Sequence, residues 1–148
     1  MTSSFEIETH APVPAEALFD AALDIGAHVA SMRGTGERAI AGVTSGRIGL
    51  GESVTWRAWH LGVRFTLTSR VTALDRPQRF VDEQVSGPFR LFRHEHTFRT
   101  EGAHAVMTDR VTLASPVLGR LAERLVLVPY LRRLLARRAR HLVASVSS

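Results

Sequence analysis

Near the start of the chain apolar and polar positions alternate, with Phe5, Ile7 and Thr9 set against Glu6, Glu8 and His10. A period of two sends successive side chains to opposite faces, so Ser4 to His10 is predicted to be an antiparallel edge strand. The period then changes. In APVPAEALFDAALDI, residues Val13, Leu18, Phe19, Ala22 and Leu23 share one helical face, and Pro14 suits a first turn. Ile25 to Met32 predicts a second short helix, ended by the break at Gly34 and Gly36.

From Glu37 to Leu113 alternation returns in runs separated by Gly46 to Gly51, Leu61-Gly62, Arg76-Pro77, Gly87-Pro88 and Glu101-Gly102. Pairing two strands about Leu61-Gly62 sorts Val54, Trp56, Ala58, Phe65 and Leu67 onto one face. Thr55, Arg57, Trp59, Arg64, Thr66 and Thr68 fall on the other. A slip of one residue would invert every side chain, so this separation supports the register and turns Trp56 inward and Trp59 outward. After Pro116 the period is helical. Leu118, Leu121, Leu125, Val128, Leu131, Leu135, Leu142 and Val146 form one stripe predicted to face the sheet, with a kink or split at Pro129. Strands in succession, closed by a long helix, predict a single α+β domain spanning 1–148.

The chemistry-bearing stretch is FRLFRHEHTFRTEGAHAVMTDRVTL, Phe89 to Leu113. With Glu101-Gly102 as a two-residue turn, one face holds Phe98 opposite Ala105, His96 opposite Met107, His94 opposite Asp109 and Phe92 opposite Val111. Arg93, Glu95, Thr97 and Arg99 mark the other face as wet. A buried carboxylate needs a donor, and opposed Cβ atoms roughly 5 Å apart let His94 serve Asp109. Three readings compete. His94, His96 and Asp109 form a polar patch on a cavity wall, satisfied internally or by a ligand head group. Alternatively, His94 or His96 is a general acid/base oriented by Asp109. The third is a metal site of two His and one Asp, for which His-x-His without a third-ligand spacing is thin support. In QRFVDEQVSGPF the register stays open: a three-residue loop aligns Asp82 with His94, a two-residue loop aligns Val81 with it.

Composition narrows these options. The chain has no cysteine, which removes disulfides, thiolate catalysis and Cys-ligated zinc. All 19 basic residues are arginine, so lysine Schiff-base chemistry is excluded as well. The bias matches a GC-rich coding sequence rather than a demand for guanidinium chemistry. Seven arginines (Arg120, Arg124, Arg132, Arg133, Arg137, Arg138 and Arg140) lie in the C-terminal helical region. Flanking an apolar stripe, they are expected to be its solvated face, and no recognition motif or aromatic platform supports nucleic-acid binding. No apolar run reaches the ~18 residues of a membrane span, and none follows a basic start as in a signal peptide. A cytoplasmic protein without stable membrane insertion, monomeric or homodimeric, is expected.

Three segments carry a resemblance: THAPVPAEALFDAALD, HLGVRFTLTSRVTALDRPQRFVDEQVSGPFRLFRHEHTF and MTDRVTLASPVLGRLAERLVLVPYLRRLLARR. In their order the chain resembles the START-related SRPBCC superfamily, and in detail its bacterial polyketide cyclase/dehydrase-like branch. The resemblance implies a helix-grip fold, a curved seven-stranded antiparallel sheet around a long C-terminal helix with a hydrophobic cavity between. Family members bind or transfer lipids, sterols, polyketides or other aromatics, and some catalyse cyclisation, dehydration or hydrolysis. In similar sequences the position of Phe92 is often tryptophan.

The resemblance and the derived inner face together give a ligand-binding set: Trp56, Phe65, Leu67, Phe92, His94, His96, Phe98, Met107, Asp109 and Val111. No cofactor and no metal is expected. The leading expectation is a binding or transport module for a small hydrophobic ligand. The alternative is a cyclase/dehydratase or hydrolase using His94, His96 and Asp109. A third option is an interaction protein using the outer sheet face around Trp59.

Overall fold

The computed structural model describes residues 2–115 and 120–147. Seven strands, β1 (Ser3–Ala11), β2 (Arg38–Gly42), β3 (Ser53–His60), β4 (Val63–Asp75), β5 (Arg79–Ser86), β6 (Leu91–Glu101) and β7 (His104–Ala114), form one antiparallel sheet in the order β1-β7-β6-β5-β4-β3-β2. The first strand lies at an edge, as its alternation predicts, with Phe5 buried and Glu6 and Glu8 exposed. α1 (Ala15–Ala22) and α2 (Ile25–Ser31) carry the chain from that edge toward the other. Pro14 sits just outside α1 as its cap in extended geometry, and Leu18, Phe19 and Ala22 are buried. The carboxylate of Asp24 caps α2 by accepting the Ala27 N–H at 2.9 Å.

The β3–β4 hairpin has the expected register, Trp56 opposite Leu67 and Ala58 opposite Phe65. Its turn places Leu61 at φ 54° and Gly62 at φ 80°. Both central residues of a type I′ turn need positive φ, a region costly for a leucine but open to asparagine. Leu61→Asn is therefore expected to raise the unfolding free energy by about 0.5–1 kcal/mol, measured by urea denaturation. Register shifts between Thr68 and Ser69 and between Val71 and Ala73 interrupt the β4–β5 ladder. Such bulges bend a strand and re-aim its side chains. Ser69 and Val71 both face the interior space described below.

The β6–β7 hairpin corrects the expected pairing by two residues. Glu101 pairs with His104 and the loop is Gly102-Ala103, so His96 stands opposite Asp109, His94 opposite Val111 and Phe92 opposite Leu113. Gly102, at φ 62°, takes the first loop position, where a two-residue turn of the type II′ class favours glycine. An even shift leaves every side chain on its expected face. For β5 the three-residue alternative gives the observed alignment, Asp82 opposite His94. The β5–β6 loop is held by Gln84, whose amide donates to the Phe89 carbonyl at 2.7 Å and accepts the Phe89 N–H at 3.2 Å.

The C-terminal helical region is divided before Pro129, as expected. A turn α3 (Arg120–Ala122) leads through a π-helical turn, Glu123–Leu127, into α4 (Val128–Ser147). Proline cannot donate to the residue one turn back, and a π turn is one way to absorb the missing bond. Buried Glu123 ties this junction down, accepting from the Ser3 hydroxyl at 3.0 Å and the Ser115 N–H at 2.6 Å. The predicted stripe needs correction at its start: Leu121 and Leu125 are exposed, because the π turn rotates the chain before α4 begins. Leu135 and Leu142 are buried and Val128, Leu131 and Val146 half-buried, while Leu118 lies outside the described residues. α4 packs on β1, α1 and α2. One core cluster joins Leu18, Phe19 and Leu23 to Phe80, Phe98, Met107 and Leu142; another joins Phe5, Val111 and Leu113 to Leu135.

Candidate functional site

Period-two alternation makes His94 and His96 consecutive inward residues of β6, and their rings stack at 3.7 Å with planes 18° apart. Phe80, opposite His96 on β5, extends the stack at 4.0 Å. From β7, Asp109 Oδ1 accepts from His94 Nε2 at 2.7 Å and lies 3.1 Å from His96 Nδ1. From β5, Asp82 Oδ2 accepts from His96 Nε2 at 2.9 Å. α4 supplies Arg138, whose Nη1 is 3.8 Å from Asp109 Oδ1. His94, His96, Asp109 and Arg138 are buried. The Asp82 side chain is 26% exposed, on the side that borders the cavity described below.

The two histidines differ electrostatically. For His96, burial opposes the charged form, but hydrogen bonding and charge from Asp109 and Asp82 outweigh it and raise its pKa. For His94, burial dominates, the neighbouring His96 adds to it, and Asp109 compensates only in part, so its pKa is lowered. Burial opposes ionisation of Asp109 too, yet hydrogen bonds from His94 and His96 hold its pKa well below the usual carboxylate range. Asp82 is lowered against its own burial, chiefly by His96. Burial and its carboxylate neighbours thus push the two rings in opposite directions, His96 toward the charged form and His94 away from it, with Arg138 beside them. Burying charge is tolerable where it is paired in this way.

A ligand atom from each of Asp82, His94 and His96 falls within 4.8 Å of the others. Stacked imidazoles, however, send their in-plane lone pairs along nearly parallel directions, and both Nε2 atoms already bond carboxylates. Gathering the three on one ion would require a ring to turn and a hydrogen bond to break.

The polar cluster borders an interior space between the sheet and the helices, in two adjoining lobes of about 70 Å³ and about 150 Å³. His28, Trp56, Ser69, Asp82, His94 and Leu135 line both. The smaller lobe adds Phe80, Val71, His96 and Arg138. The larger adds Phe65, Leu67, Phe89, Phe92, Leu131 and Leu134, and extends to His60 at the end of β3. There His60 Nδ1 meets the Tyr130 hydroxyl at 2.9 Å, joining β3 to the start of α4. A second pair, His28 Nε2 with Glu37 Oε2 at 2.7 Å, closes another wall, and His28 packs on Trp56.

Of the residues expected at the site, Trp56, Phe65, Leu67, Phe92, His94 and His96 border this space. Phe98, Met107 and Val111 do not; they are packed in the core. Asp109 stands behind the histidines and reaches the cavity only through them. Arg138 departs from the expectation of a solvated arginine face: it is 4% exposed, whereas Arg132, Arg133, Arg137 and Arg140 are exposed. Its position three after Leu135 and four before Leu142, on the buried stripe, is the signal that singles it out.

No family model matches the chain, and no curated protein matches it in sequence. Solved structures do. The Zhui aromatase/cyclase of Streptomyces sp. R1128 superposes with a TM-score of 0.78 at 15% identity, over 99% of this chain and 94% of that one. A protein of Thermus thermophilus gives 0.75 at 19% identity, over 97% of this chain and 99% of that one. The major latex-like protein 151 of Panax ginseng gives 0.73 at 13% identity, over 99% of both chains. With its seven-stranded antiparallel sheet and long C-terminal helix, the chain has the helix-grip fold that these structures share.

Proposed function

We propose that this protein binds a small hydrophobic molecule of aromatic or lipid-like character in the two-lobed space between the sheet and α4. The observation that supports the reading most is the space itself, walled largely by aromatic and aliphatic side chains and bordered by few polar groups, the usual make-up of a small-molecule site. A volume of about 150 Å³ is enough for a benzene-sized ring. Fold likeness carries none of this by itself, since one fold hosts unrelated functions.

Toluene is a suitable first probe because it brings area without polarity. It is expected to bind, seen as line broadening and saturation transfer in its NMR spectrum. Ala58→Trp, which places an indole in the larger lobe from a buried position on β3, is expected to weaken that binding at least about tenfold. Equal binding by the variant would show that toluene sits elsewhere and would overturn the reading.

One observation favours a second reading, a cyclase/dehydratase or hydrolase in the same space. His94 gives Nε2 to a carboxylate, the arrangement that orients an imidazole for proton transfer by its other nitrogen. Turnover of a polyketide-like substrate, abolished by His94→Ala, would establish it; binding without turnover would leave only the binding module.

A further inference from the structure

The apolar run of the β3–β4 hairpin does not stop where the core stops. Leu61 in the turn is 72% exposed, Trp59 on the outer face 55% and Val63 on the inner face 53%. α4 reaches the hairpin at Tyr130, whose hydroxyl meets His60. Past that contact the tip is apolar on both faces and in the turn, and these side chains stand in water. The turn carries a cost of its own, since a leucine occupies φ 54°, a region open to asparagine. Backbone strain kept at one position points to a task there. The charge around the tip is one-sided. Residues 53–74 contain no aspartate or glutamate. Arg64 stands opposite Trp59, and Arg57 opposite Arg38 of β2, a like-charge pair that is unfavourable on its own. Elsewhere on the outer face arginines are paired, Arg79 with Glu95 and Arg110 with Glu6. Among the described residues no carboxylate forms an ion pair with Arg38, Arg57 or Arg64.

We infer that this hairpin tip docks the protein reversibly on an anionic lipid bilayer, with Trp59, Leu61 and Val63 inserted at headgroup level and Arg57 and Arg64 on the lipid phosphates. A flat protein surface would cover one of the directions in which the apolar side chains leave, whereas a bilayer receives all three. Tryptophan suits such an interface because its ring is apolar and its N–H polar. Arginine suits it because the stem lies along apolar material while the guanidinium stays with the phosphate. Apolar insertion and attraction to anionic lipid together set the strength of such contacts, and each is weak alone. Docking of this kind does not depend on what the cavity holds, although Phe65 belongs both to the hairpin and to the wall of the larger lobe.

The probes are vesicles of phosphatidylcholine with and without phosphatidylserine, mixed with the full chain and followed by co-sedimentation and tryptophan emission. The serine-containing vesicles are expected to bind at least about tenfold more tightly than the neutral ones, as two arginines near a charged surface require. Emission should move to the blue on binding, because Trp59 is the more exposed of the two tryptophans. Leu61→Asn is the deciding variant: it should resist urea better than the parent and yet bind the anionic vesicles about tenfold more weakly, having lost an inserted leucine. A chain that is better folded and worse bound separates docking from folding. Arg57→Gln combined with Arg64→Gln should remove most of the preference for anionic vesicles. Equal binding to both kinds of vesicle, or binding to neither, overturns the inference. Binding that survives Leu61→Asn, falls with the arginine changes and is displaced by RNA marks a general polyanion surface and overturns it as well. Toluene binding in free solution is untouched by any of these results, so the cavity reading is judged separately.

Discussion

Asp109→Ala is expected to lower the unfolding free energy by about 3–5 kcal/mol, the usual cost of removing one partner from a buried ionic cluster. Asp109 is 1% exposed and is the group through which His94, His96 and Arg138 meet. Without it His96 and the guanidinium of Arg138 share a buried site with only Asp82 to balance them. The size of the loss comes from the orphaned charges, so removing one of them should help. Asp109→Ala combined with Arg138→Met is expected to recover part of the loss. A double variant less stable than the sum of the single changes would show that Arg138 is held by contacts other than this cluster.

The same cluster fixes the sign of the acid response. Asp109 and Asp82 have lowered pKa values in the folded protein, so their stabilisation is present above the unfolded carboxylate value of about 3.9 and is lost as pH falls through their lower folded values. The histidines act oppositely to each other. His96, raised, contributes fully below the unfolded value of about 6.5 and loses its contribution as pH rises through its higher folded value; His94, lowered, opposes folding as pH falls below about 6.5. Asp109 favours the charged form of both rings, so the stability gap between wild type and Asp109→Ala, measured by urea denaturation across pH, is expected to be widest between about pH 4 and about pH 6.5 and to narrow below about pH 4. A gap constant from about pH 7 to about pH 2 would mean that the carboxylate charge is not what stabilises the fold.

Much of this was legible in residue order. Alternation located the edge strand, the β3–β4 pairing and the inward face of β6, because burial on one face leaves a period of two that no other element imitates. It assigned His94, His96 and Asp109 to one face correctly even where the pairing was off by two, since an even shift preserves faces. The partner opposite each histidine was not legible, because it depends on whether glycine stands first or second in a two-residue loop. Arg138 was hidden for a different reason: in a tract where most arginines are exposed, composition argues for solvent, and only its position on the Leu135–Leu142 stripe argues otherwise. The exposure of Leu121 and Leu125 follows from a π turn that the helical period does not record. Phe98, Met107 and Val111 show that the inner face of a curved sheet serves both core and cavity: α1 fills the part at Phe98 and Met107, and Leu135 of α4 the part at Val111.

Phe19, the residue by which α1 does much of that filling, yields the second large effect: Phe19→Ala is expected to cost about 3–5 kcal/mol, the range for truncating a buried phenylalanine. The ring is 0% exposed and meets Phe80 at 5.6 Å and Phe98 at 5.2 Å, both edge to face. Beyond the lost transfer energy, the deletion opens a void beneath Phe80, and Phe80 is the flat support on which His96 and then His94 stack. A consequence at the site should therefore accompany the loss of stability. In the milder Phe19→Leu, which keeps most of the volume but not the edge-to-face contact, the unfolding free energy should fall by less, while the His94 and His96 ring resonances should shift in NMR spectra of the folded protein. If Phe19→Leu leaves those resonances unmoved, the ring stack is held by its strands alone, and α1 supports the core without positioning the polar end of the cavity.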